Sequence, residues 1–174
     1  MRIHRLLPLA CLAVACTADS DRTPIDAELL TAPVFAVRTE HFMTHATGSE
    51  EVPPNDSQAQ GEAQFRMSAD GSTLHYRLIV ANVENVTQSH IHLAPAGSNG
   101  GIVVWLYPSA PPAQLIPGRF QGLLAEGDIT ADDLVNALAG AELEDLLDEI
   151  RAGNAYVNVH TSQFPPGEIR GQLH

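Results

Sequence analysis

From Glu40 onward the chain keeps returning to one pattern, a polar residue followed by an apolar one over a handful of positions, interrupted by Gly, Pro, Asn or Asp. The runs HFMTHATG, GEAQFRMSADGSTLHYRLIVANV, SHIHL, GIVVWLY, GRFQGLLAEG, NAYVNVHT and GEIRGQL all carry it. A period of two is that of a strand with one face in a core. Ala69-Asp70-Gly71 sits between two such runs, where a hairpin turn belongs. Seven or eight short strands at this spacing predict an all-β domain, an antiparallel sandwich or barrel.

One segment departs from the alternation. DITADDLVNALAGAELEDLLDEIRAGN places Leu134, Leu138, Leu143, Leu146, Leu147 and Ile150 at helical spacing, with Thr130 three residues before Asp133 as a capping pair. Gly140 is a natural break and Gly153 a natural stop. Two short helices are therefore predicted between about Ile129 and Ala152, crossing between strands. Their leucines suit a lid over an open end of the β structure; the alternative is an amphipathic surface for a partner.

The first 16 residues, MRIHRLLPLACLAVAC, join a basic start to an apolar run too short to span a bilayer, which reads as a secretory signal. AVAC ahead of polar TADSDRTP is close to a bacterial lipobox, so Cys16 is expected to be lipidated; the alternative is plain secretion after cleavage nearby. Residues 17 to 39 lack a sustained period and suit a tether, leaving 40–174 as one domain. Both cysteines, Cys11 and Cys16, lie in the leader, which excludes a disulfide, a thiolate metal site or a cysteine nucleophile from the domain. There is no lysine, and nine arginines face 21 carboxylates for a net charge of −12. Such a surface disfavours nucleic acid and anionic lipid, so attachment to a membrane would come through acyl chains on Cys16. No P-loop, dinucleotide-binding glycine pattern or nucleophile elbow is present.

Strand phase then decides where the polar side chains go. In SHIHL, Ile91 and Leu93 take the core, which turns His90 and His92 outward together. In YVNVHT, Val157 and Val159 point in while Tyr156, Asn158 and His160 point out; in EIRGQL, Ile169 and Leu173 point in and Arg170 out. TLHYRLIV places His75 and Arg77 outside, and HFMTH lines up His41, Met43 and His45 on one face. A lone outward histidine is ordinary surface. His90 and His92 differ, because imidazoles at i and i+2 stand about 7 Å apart at the backbone and can converge on one ion with bonds of about 2 Å. Spacing alone leaves a metal and no metal equally open.

Five motifs in order, GSEEVPP, SHIHLAPAGSNGGIVVWL, ITADDL, AGNAYVNVHT and PPGEIRGQL, resemble the CHRD domain, named for its copies in chordin; the resemblance runs from about His41 to Leu173. It implies an all-β domain and does not itself supply a reaction. A weaker resemblance is to copper/zinc superoxide dismutase: HIHLAPAGSNG, NVHT and PGEIRGQL follow the order of its copper-ligand strands and its arginine segment. That likeness implies copper held by His90, His92 and His160, Arg170 as the guiding positive charge of a catalytic site, and a small anion such as superoxide as substrate. The disulfide cysteine and the zinc loop of that family have no counterpart, so at most a copper-only version is implied. No fourth ligand is fixed; His45 or His75 is a candidate if its strand lies adjacent. The resemblances together imply a Greek-key β-sandwich, immunoglobulin-like or superoxide-dismutase-like, with a short helical crossover. They imply an extracytoplasmic protein, lipid-anchored in the cell envelope or secreted. Two functions follow: a copper-binding lipoprotein with superoxide dismutase activity, or a non-enzymatic adhesion or protein-interaction module in which the histidines hydrogen-bond loops into place.

Overall fold

A computed structural model describes residues 40–174. The expected leader with Cys16 and the tether at 17–39 lie outside the described residues. Seven strands form one antiparallel sheet: β1 (His41–Thr47), β2 (Gln60–Met67), β3 (Leu74–Leu93), β4 (Gly101–Tyr107), β5 (Ile116–Ile129), β6 (Ala155–Thr161) and β7 (Ile169–Gln172). The order β2-β1-β7-β6-β3, together with a direct pairing of β2 to β3, closes the sheet on itself. β4 and β5 pair with the other edge of β3. The architecture is the expected all-β one, barrel- or sandwich-like, with a helical crossover between β5 and β6.

The closure depends on β3, a single strand of 20 residues where the alternation suggests two shorter ones. Its first half pairs with β2 and β5, its second with β6 and β4. Register slips against β5 at Leu78/Ile79, Val80/Val83 and Glu84/Val86, and Asn82 and Asn85 adopt positive φ (59° and 53°) in the same stretch. Bulges bend a strand and sharpen its twist, which lets one strand serve both ends of a closed sheet. Asparagine tolerates the left-handed conformation better than other side chains do.

Alternation supplies the core. Phe65, Leu74, Leu78, Val80, Ile91, Val103, Leu106, Val157, Val159, Ile169 and Leu173 are all buried in one cluster. Leu146, Leu147 and Ile150 of the crossover helix α1 (Leu143–Arg151) join them, so these leucines cover the β structure rather than await a partner. Glu142 caps the helix, its N–H donating to the Asp145 carboxylate at 2.9 Å, and Gly140 and Gly153 take the positive φ of a break and a stop.

The first predicted helix is not one. Residues there make two three-residue 3-10 turns, Ala131–Asp133 and Asn136–Leu138, with Leu134 buried between them. The Val135 N–H donates to the Val103 carbonyl at 2.9 Å and the Asn136 side chain to the Ile102 carbonyl at 2.9 Å, pinning the segment to β4. Those bonds to a sheet edge satisfy backbone groups that helical bonds would otherwise need. The Thr130–Asp133 pair still forms, the Thr130 N–H and hydroxyl both donating to Asp133 at 2.8 and 2.9 Å.

If α1 is a fixed part of the core, Leu146→Ala leaves a cavity and should cost about 2–5 kcal/mol in chemical unfolding, whereas Leu115→Ala at an exposed site should stay within about 0.5 kcal/mol. Equal, small effects would mean that the helix is not packed as described.

Candidate metal centre

Across the second half of β3, the register sets Trp105 of β4 against His90, His90 against Asn158 of β6, and Asn158 against Arg170 of β7. One row of polar and aromatic side chains thus runs over four strands, on the face opposite Ile91, Val157, Val159 and Ile169. Strand phase predicts that face, but not its fate. Sequence reasoning expects it to point outward to solvent; it is buried instead, with His90 at 0% exposure, Arg170 at 1%, Asn158 at 3%, His160 at 6% and His92 at 8%. Every residue of β6 is buried, on both faces.

The cover is made by the loops that follow the histidines in sequence. The Pro95–Gly100 turn after β3 and the loop between β6 and β7 fold back over the row. Arg170 holds the first: its guanidinium donates to the Ser98 carbonyl at 2.7 Å and the Pro95 carbonyl at 3.3 Å, and lies 3.5 Å from the centre of the Tyr156 ring. Tyr156 in turn stacks on His92, with ring centres 4.9 Å apart, and its hydroxyl accepts the Gly100 N–H at 3.1 Å. Gly100 has to be glycine, because a Cβ there would overlap the Leu93 carbonyl. Arg170 lies on the histidine face, as its phase predicts, but it is buried rather than turned out to solvent, and its bonds to loop carbonyls clamp the turn.

Three imidazoles converge under this cover. One nitrogen each from His90, His92 and His160 lies within 4.8 Å of the others, the one such cluster of three potential ligands among the described residues. Ring centres are 5.4 Å apart for His90–His92, 5.1 Å for His90–His160 and 5.9 Å for His92–His160. An ion about 2 Å from each nitrogen, with angles between tetrahedral and trigonal, would set ring centres about 5.1–5.5 Å apart. The triangle is therefore close to that size and needs only a small contraction on the His92 side.

Hydrogen bonds fix which nitrogens are free. The His92 Nδ1–H donates to the Gly100 carbonyl at 3.0 Å and the His160 Nδ1–H to the Pro165 carbonyl at 2.9 Å. A carbonyl only accepts, so the proton of each ring is on Nδ1 and the lone pair on Nε2. His160 Nε2 faces His90 Nδ1 at 3.3 Å, while the Nε2 atoms of His90 and His92 are buried without any partner. Backbone carbonyls that orient the remote nitrogen of a histidine are the usual outer shell of imidazole metal ligands. Burial pushes the His90 pKa down to about 3 and that of His92 to about 4, helped in both by neighbouring imidazoles; burial lowers that of His160 as well. All three rings are neutral near pH 7, the form that binds a metal.

The other two candidate ligands lie elsewhere. His75, in the first half of β3, is exposed and bonded to Asp128. His45 is exposed on β1 opposite Glu62, beside Met43 and near His174. Neither strand face abuts β6 at the cluster, so neither ring reaches it. Motif reading overlooks Asn158, Tyr156, Trp105 and Glu51 as parts of the same assembly. Asn158 Nδ2 donates to Glu51 Oε1 at 2.8 Å, and burial raises the Glu51 pKa to about 7 against the opposing pull of Arg170 and Asn158. Phase places Tyr156 and Asn158 on the His160 face but gives them no role; Glu51, in a loop more than a hundred residues from Asn158, leaves no local signal.

No helix among the described residues is long and apolar enough to cross a membrane. No curated protein and no solved structure matches the chain significantly. The family profile described as CHRD domain matches residues 42–173, which takes in every strand from β1 to β7 and the whole histidine cluster. Matched over more than half its length, the chain belongs to the CHRD domain family.

Proposed function

We propose that this domain is an extracytoplasmic module that binds a copper ion through His90, His92 and His160. The observation that carries the reading is the pair of carbonyl-anchored imidazoles, His92 and His160, whose protons sit on Nδ1 in a buried cluster where the Nε2 atoms of His90 and His92 have no partner. Leaving a buried polar atom unpaired costs about 1–3 kcal/mol, and a metal would satisfy two of them at once. Imidazole suits copper, zinc, iron and nickel, and copper is the tightest binder of the divalent series. Placement outside the cytoplasm rests on the signal-like leader and on the CHRD family, with attachment through Cys16 as part of the same reading. Superoxide dismutation is the activity such a copper site would add, and it requires a path for a small anion past the rings of His92 and His160.

A second reading has its own support. His92 and His160 each tie a loop to the sheet, through Gly100 and Pro165, which is what histidines serving only to shape an adhesion or protein-interaction surface would do. Metal binding separates the two readings.

Trp105 is the only tryptophan in the chain, and its ring lies 4.3 Å from that of His90. Cupric ion added to tag-free protein should quench Trp105 emission with one equivalent at saturation. His92→Ala should weaken binding by more than the roughly 10–100-fold typical of outer-shell changes. Copper that binds only weakly and equally to both proteins would leave the adhesion reading standing.

The lowered pKa values give the pH dependence. Free histidines start to take up protons near pH 6.5 and so lose metal below it. Here burial keeps all three folded rings neutral to lower pH, so copper affinity measured by competition should persist below about pH 6.5, where exposed histidines lose metal. An affinity that drops steeply between pH 7 and 6 would contradict a buried site.

A further inference from the structure

No fourth imidazole among the described residues completes the three-imidazole site, since His45 and His75 lie away from it. Asn158 stands directly across from His90 in the β3–β6 register, on the face it shares with His160. Cβ atoms at such positions are about 4.5–5.5 Å apart, and residues two apart on one strand about 7 Å, so Asn158 lies under the cluster. Its side chain is held one way round. Nδ2 donates to Glu51, whose carboxylate is packed against Gly167 just before β7, within the reach of the Arg170 charge. Gly167, at φ 144°, makes this possible: a Cβ there would come within 2.5 Å of Asn158 Nδ2 and 2.6 Å of Glu51 Oε1.

Asn158 sits between β3 on one side and β7 on the other. With Nδ2 held by Glu51, which packs against Gly167 ahead of β7, a planar carboxamide would leave Oδ1 on its other side, toward β3 and His90. That oxygen is buried without a hydrogen-bond partner, like the Nε2 atoms of His90 and His92 beside it. A residue with a purely structural role would not be expected to keep an acceptor empty at about 1–3 kcal/mol. His90, His92 and Asn158 thus each carry an unpaired buried acceptor on one face, and a cation between them would satisfy all three at once.

Resting on the copper reading above, we infer that Asn158 Oδ1 is the fourth donor of the site, positioned by Glu51, and that it biases the site toward cupric over cuprous ion. An amide oxygen is a hard donor that suits the divalent ion, whereas cuprous copper prefers soft sulfur ligands and gains little from it. Glu51 is a positioning residue: it acts only by fixing which end of the carboxamide faces the imidazoles.

The test measures cupric and cuprous affinities separately, by competition with chelators specific to each oxidation state. Asn158→Leu should lower cupric affinity by about tenfold or more and leave cuprous affinity unchanged. A loss shared equally by both ions, or by neither, overturns the inference. Because Asn158→Leu removes the partner of a buried carboxyl and can fail to fold, the double change E51Q/N158D supplies a second arm. It keeps a hydrogen bond between the two positions with donor and acceptor exchanged, and turns a carboxylate oxygen toward the cluster. Cupric affinity should then exceed that of the unmodified protein and rise by more than cuprous affinity does; no gain, or an equal gain for both ions, overturns the inference. If the unmodified protein binds neither ion, the copper reading fails and this inference with it. Copper bound with wild-type affinities in the variants removes Asn158 alone.

Discussion

The structure depends on the burial of β6 on both of its faces. An antiparallel strand with one wet face can carry any polar residue there. A strand covered twice has to find a partner for each. On one face Val157 and Val159 need none. On the other, Tyr156, Asn158 and His160 must be satisfied by what the neighbouring strands and loops bring, and most of the functional region follows from that need. Arg170 holds the Pro95–Gly100 turn down, Gly100 takes the proton of His92, Pro165 takes that of His160, and Glu51 takes the amide of Asn158. What this network leaves unpaired is the set of lone pairs on His90, His92 and Asn158. Of the four buried side-chain atoms without a partner among the described residues, three belong to this face, and the fourth is Ser89 Oγ on the other face of β3.

Cover also sets the electrostatics. The rings are neutral because burial removes the water that would stabilise their charge, and because each would be charged beside the others. Carried on an acidic chain, the same residues at the surface would be protonated more readily and bind a metal less well in mild acid. The clamp by Arg170 therefore bears on the cluster indirectly, by keeping the turn over it and the Gly100 carbonyl in place.

Much of this was legible in the sequence, and the limits have physical causes. Period-two alternation depends only on neighbours, so the strands, the phase of His90, His92 and His160, and the Leu143–Ile150 stripe could be read directly. The burial of the histidine face could not, because the turn over it is held by Arg170, 72 positions from Ser98, and Asn158 by Glu51, 107 positions away. The continuity of β3 was hidden because Asn82 and Asn85 look like turn residues, whereas they bend a strand that goes on. Leu134 looked helical because its spacing to Leu138 is helical; bonds from Val135 and Asn136 to β4 override that preference. Arg170 was visible as an outward side chain on the histidine face, but its partners are backbone carbonyls, which no side-chain pattern announces.

The central claim is that three imidazoles of one buried cluster hold a single copper ion. Electron paramagnetic resonance of the protein loaded with one equivalent of cupric ion tests it most directly. One homogeneous signal is expected, with hyperfine structure from three imidazole nitrogens, lost when His90, His92 and His160 are replaced together and unaffected when His41, His45 and His75 are. A signal that survives loss of the cluster, or disappears with the exposed histidines, would contradict it.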